Sequence, residues 1–160
     1  MSKYSVTTLV AVLVLAGAAV PARADMLSAT RTVIAIVADE LYTGEAVGHL
    51  SGAGTLTLRS QSNPAVTCRG EFTSSATHGG AGQLRCSDGT AATFQFKRLT
   101  IFTGFGAGDF GHGSLSFVYG LGPLEAAPYL KLPAGKKLMH NGVQLALPIC
   151  NHQNARLART

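Results

Sequence analysis

Apolar and polar residues in this chain alternate in short bursts of period two, and most bursts are stopped by glycine or by a polar turn. Period two turns one face of a strand toward a core and the other toward water. Residues 30–37 (TRTVIAIV) are dense in β-branched side chains and predict the first strand, ended by Asp39-Glu40. Residues 41–46 and 54–58 predict the arms of one hairpin, 66–72 and 82–86 those of a second, and 93–97 a further strand after the Asp88-Gly89 turn. Gly104, Gly106, Gly108, Gly111 and Gly113 crowd the next segment, which reads as a glycine-dense loop entering a last alternating stretch at 114–119. The phase of the bursts points Leu56, Leu58, Phe72, Leu84, Phe94, Phe96, Leu115 and Phe117 inward. After Gly120 the pattern changes. Pro123-Leu124-Glu125-Ala126-Ala127 predicts a short helical turn limited by Pro128, and residues 129–132 predict a final strand. Residues 139–160 read as a polar, loosely ordered tail. The expected fold class is all-β: a single-domain antiparallel meander of about eight short strands over residues 25–138, with a short helical turn near the C-terminus. Alternation alone leaves open whether the meander stays open or closes into a barrel.

One phrase recurs. Gly52-Ala53-Gly54-Thr55-Leu56, Gly80-Ala81-Gly82-Gln83-Leu84 and Gly111-His112-Gly113-Ser114-Leu115 each set a glycine pair before an alternating strand. The spacings, 28 residues from 52 to 80 and 31 from 80 to 111, lie in the range of repeat architectures. With Cys68-Arg69-Gly70-Glu71-Phe72 before the second copy and Asp88-Gly89 after it, the unit resembles a MORN repeat. Tyr42-Thr43-Gly44-Glu45 with Gly52-Ala53-Gly54 gives a second, poorer match, so the resemblance spans about residues 42–119. Unit lengths are irregular and most of the strand aromatics of a MORN repeat are missing. The resemblance implies an elongated meander used for scaffolding, self-association or membrane proximity, and it implies no catalysis.

The N-terminus predicts export. Lys3 precedes an apolar run at 9–20, and Ala22-Arg23-Ala24 sets small residues where a signal peptidase reads, so cleavage is expected between Ala24 and Asp25. The run is too short for a comfortable membrane span. Leu15-Ala16-Gly17-Ala18 is like a lipoprotein box with alanine in place of the lipidated cysteine. Removing residues 1–24 takes Lys3 and Arg23, leaving 11 basic against 8 acidic residues, a net charge of +3. That excess is mild and includes no basic run longer than Lys136-Lys137, which argues against nucleic acid as a partner. In an oxidising periplasmic or extracellular compartment the cysteines matter. Folding the chain about residue 77 brings Cys68 opposite Cys86, so a cross-strand disulfide is expected, with two buried thiols as the alternative. Cys150 is left over.

Candidate chemistry is thin. His49, His78 and His112 each sit in or beside a repeat's turn, and three imidazoles gathered along one edge would suit zinc. Their offsets from the glycines differ, so no metal and no cofactor is assigned. Glu45 and Glu71 hold equivalent places, as paired acid–base carboxylates or, more simply, as a solvated face. The glycines at 104–111 lack the Lys-Ser/Thr and the helix of a phosphate loop, and read instead as a mobile loop presenting Phe102, Phe105 and Phe110, one or two buried and one available to a partner. No catalytic set is found, so no enzyme activity is assigned. The first expectation is a non-catalytic envelope protein that binds a protein partner or itself, with weak membrane-surface contact open. The alternative is a periplasmic binding module for a lipid or small apolar ligand, since a curved meander can enclose a cavity.

Overall fold

The computed structural model describes residues 27–75, 77–111, 113–141 and 144–146. The segment expected to be a signal, with its Ala24–Asp25 junction, His112 and Cys150 lie outside the described residues. Eight strands follow one another: β1 (Ser28–Val37), β2 (Glu40–His49), β3 (Ala53–Ser60), β4 (Thr67–Ser75), β5 (Gly79–Cys86), β6 (Ala91–Arg98), β7 (Gly104–Phe110) and β8 (Gly113–Tyr119). Each pairs antiparallel with the next. β8 then returns to β1, with Val33 opposite Tyr119 and Val37 opposite Leu115, and the meander closes into a barrel.

Alternation sorts the two faces as the sequence predicts. Val33, Val37, Leu56, Leu58, Leu84, Phe94, Phe96, Leu115 and Phe117 are buried inside, and Phe72 packs half-buried against them. The outward positions of β3 to β6 include Thr57, Arg59, Arg69, Glu71, Gln83, Arg85, Gln95 and Lys97, all exposed. Apolar inside and polar outside is the inverse of a membrane-spanning barrel. No helix among the described residues is long and apolar enough to cross a membrane.

One sector of the outer wall is apolar, and the chain after β8 covers it. The helix α1 (Pro123–Ala126) and a 3₁₀ turn (Ala127–Tyr129) bring Ala126, Leu130 and Leu138 onto Ile34, Ile36, Leu41 and Val118. Phe105 stacks on Tyr129 with ring centroids 4.7 Å apart, and the Lys131 amide donates to Ser116 Oγ at 2.8 Å.

Three local expectations are corrected. Residues 104–110 form strand β7 rather than a mobile loop, and its glycines make room for neighbours: a Cβ at Gly104, Gly106 or Gly108 would run into Tyr119, Phe117 or Phe94. Residues 129–132 add no strand: Tyr129 ends the 3₁₀ turn, and the segment packs on the barrel instead of joining it. The region read as a loose tail begins with a two-stranded ladder, β9 (Met139–Asn141) against β10 (Gln144–Ala146).

The repeat also divides. The glycine pairs at 52/54 and 80/82 open β3 and β5, which run in the same direction, whereas Gly113 opens β8, which runs the other way. The step from the first copy to the second is two strands (β3 to β5) and from the second to the third is three (β5 to β8), so the third enters the barrel from the opposite end. The MORN resemblance therefore rests on its quoted residues alone.

Candidate functional site: a cavity at one mouth of the barrel

The two ends of the barrel differ. At one end, reached by the turns after β1, β3, β5 and β7, the interior is filled by Val37, Leu58, Leu84 and Leu115 and stitched by the Cys68–Cys86 disulfide. These cysteines are directly opposed in the β4–β5 register, as the sequence predicts. Polar contacts cap this end: Ser62 Oγ donates to Glu40 Oε2 at 2.9 Å, and the Asn63 amide donates to Ser60 Oγ at 3.0 Å. Tyr42 lies beside Ser60, and its phenol is held above the usual tyrosine range by burial first and by the Glu40 and Asp88 charges next.

The other end is hollow. A cavity of about 520 Å³ extends from the turns after β2 and β6 down to Leu56 and Phe94, a size typical of small-molecule sites. Its walls are aromatic. Phe72 meets Phe96 edge-on at 5.6 Å, Phe94 meets Phe117 at 5.2 Å, and Phe96 meets Tyr119 at 6.0 Å. These rings fit because their cross-strand neighbours are glycines: Gly54 faces Phe72, Gly82 lies between Phe72 and Phe94, and Gly106 lies between Phe96 and Phe117. Gly48 is different. A Cβ there would meet only Phe72 Cζ, at 4.0 Å, so this inward glycine borders open cavity.

Polar side chains enter the wall only toward the mouth. Arg31 on β1, Ser74 on β4, Arg98 on β6 and Tyr119 on β8 all occupy inward positions and line the cavity. Gly104 joins two of them, since it is opposite Arg98 on one side and opposite Tyr119 on the other. Arg98 Nη2 donates to Ser74 Oγ at 3.0 Å and Nη1 to the Ile101 carbonyl at 3.4 Å. The Arg31 guanidinium lies 4.3 Å from the centroid of the Phe102 ring, in a cation–π contact. Both guanidiniums thus reach adjacent residues of the same 99–103 loop. The Arg98 Nε is buried with no acceptor among the described residues, which costs about 1–3 kcal/mol for a buried donor. Burial raises the Tyr119 phenol above its usual range, against a smaller pull from Arg98, so at neutral pH it keeps its proton and can donate. No acidic side chain is among the described residues lining the cavity.

The mouth also carries an apolar rim. Leu27, Leu50, Leu99, Ile101 and Phe102 are all exposed there, Leu50 to 80% and Ile101 to 67%. Two backbone bonds hold the 99–103 loop on itself, the Leu99 and Thr100 amides both donating to the Thr103 carbonyl.

The residues singled out in the sequence scatter. Phe102 stands exposed at the mouth, Phe105 stacks on Tyr129 outside, and Phe110 packs half-buried against the interior cluster at the filled end. They form no common patch, because β7 separates them by face and by end. His49 lines the cavity, while His78 lies exposed in the β4–β5 turn with Nδ1 2.6 Å from Thr77 Oγ1. Gly111 and Gly113, which flank His112, lie at the opposite end, so the three turns do not share an edge. No group of three or more His, Cys, Asp or Glu side chains placed to hold a metal occurs among the described residues. Glu45 and Glu71 face outward on β2 and β4, exposed and with β3 between them.

The cationic arc was missed at the sequence level, although the signal was there. Arg31 is in phase with Val33, Ala35 and Val37; Arg98 is in phase with Ala92, Phe94 and Phe96; Tyr119 is in phase with Leu115 and Phe117. A charged residue in the apolar phase of a strand, at its end, marks the mouth of a site. No family profile, curated protein or solved structure matches this chain.

Proposed function

We propose that this chain is a binding module for a small apolar ligand, acting after export in the envelope or outside the cell. The observation that carries this reading is the cavity of about 520 Å³, walled by phenylalanines and open at one end of the barrel. Eight-stranded barrels are wide enough either to fill with side chains or to hold one small ligand. Here one half is filled and the other is not. The partner-binding expectation drew on the repeat, on a presented aromatic loop and on the lack of a catalytic set; of these, the loop's phenylalanines lie on different faces of the barrel.

The test is binding of the neutral dye Nile red, followed by its fluorescence, to the purified mature chain and to Gly48→Leu. A Cβ at 48 meets only the Phe72 ring, at 4.0 Å, so a side chain there starts into the cavity. The wild type should bind one dye per chain with low-micromolar affinity, about −8 kcal/mol. Gly48→Leu should lose at least tenfold while keeping its thermal midpoint. Absence of saturable dye binding to the folded wild type would sink the reading.

A further inference from the structure

We propose that the cavity selects single-chain anionic amphiphiles, with the acyl chain against the phenylalanine wall and the anionic head held by Arg31, Arg98 and Tyr119. This rests on the ligand-binding reading above and names the class of ligand.

The argument begins with the arginines. Arg31 and Arg98 lie on strands β1 and β6, yet their guanidiniums meet at consecutive residues, over the Phe102 ring and on the Ile101 carbonyl. Two like charges lining one mouth beside an apolar wall repel, and the repulsion grows as water is displaced. A carboxylate between them would relieve it, but no acidic side chain is among the described residues of the lining. An anion from outside meets the need. Arg98 still has an Nε–H without an acceptor, and a guanidinium's planar fork of donors matches a carboxylate or a phosphate. Tyr119 adds a protonated hydroxyl from β8, lying over Gly104, which is opposite Arg98 on its other side.

The rest of the cavity determines what the anion is attached to. Beneath the arc the wall is Phe72, Phe94, Phe96 and Phe117, with no charged group deeper in. The site is therefore polar at the mouth and apolar in depth, which orders an amphiphile head outward. A free anion would leave the aromatic wall unused, and a neutral hydrocarbon would leave the arginines unpaired. A fatty carboxylate and a lysophosphatidate share the required chemistry and differ in the head.

The experiment is displacement of Nile red at neutral pH by palmitate, methyl palmitate and palmitoyl lysophosphatidate, with the mature chain, Arg31→Gln, Arg98→Gln and Arg98→Lys. The wild type should prefer at least one of the two anions over the methyl ester by about tenfold or more, as for a charge-assisted contact. Whichever anion binds tighter identifies the head. Arg31→Gln and Arg98→Gln should each erode the preference, read within each variant as the ratio of anion to methyl-ester affinity, and Arg98→Lys should restore part of it. Arg98 also holds the 99–103 loop to Ser74, so if Arg98→Gln fails to fold, Arg31→Gln decides alone. Equal affinity for palmitate, lysophosphatidate and methyl palmitate would overturn the proposal and leave the ligand-binding reading standing. Failure of the folded wild type to take up Nile red or any of the three would overturn both.

Discussion

At the scale of single residues, the interior depends on glycine standing opposite phenylalanine. A Cβ at Gly82 would come within 2.5 Å of Phe94 Cζ and 2.8 Å of Phe72 Cβ, far inside van der Waals contact. Gly82→Ala should therefore destabilise the barrel by about 1–3 kcal/mol, as overpacking does, while Gly48→Ala should change stability by less than about 1 kcal/mol. Urea unfolding of the two variants checks both; similar losses at the two positions would contradict the packing account. The inward set from Leu56 to Phe117 was legible because alternation is local. The reason for the glycines was not, since the partner of Gly82 is set by a register with residues 72 and 94 that no window of the sequence contains.

At the scale of elements, two neighbouring hairpins show what decided success and failure. β4 and β5 were readable because Cys68 and Cys86 lie symmetrically about their turn. Their disulfide closes an 18-residue separation, which on chain-entropy grounds stabilises by about 3 kcal/mol. Replacing both cysteines by serine should lower stability by about that much, read as a shift in the urea midpoint; an unchanged midpoint would show the link to be idle. β7 was unreadable because Gly104, Gly106 and Gly108 carry the composition of a loop. Glycine is depleted in strands where a side chain must pack, and here the packing is supplied by the neighbours' rings. The turn between β1 and β2 hid a different feature. Ala38 and Asp39 both hold positive φ, 49° and 64°, as a two-residue hairpin requires, without the Asn-Gly that advertises it.

At the scale of the whole molecule, the barrel is sealed and cross-linked at one end and open at the other, and that polarity was not legible. The all-β class follows from the period of the pattern; a cavity is a property of closure. Closure has another consequence. The ladder between residues 33–37 of β1 and 115–119 of β8 joins the earliest strand to the latest, so it can form only when the whole barrel chain is present. Until then the run Val33-Ile34-Ala35-Ile36-Val37 has one side without a partner, and such apolar β-branched segments template aggregation. A chain stopped after residue 111 should sediment as aggregate under conditions where the full mature chain remains monodisperse, and Ile34→Thr with Ile36→Thr should return part of it to the supernatant. In the finished barrel the same run is locked between two neighbours. The molecule is hazardous to itself only while it is incomplete, so its safe folding depends on keeping the first strand guarded until the last one arrives.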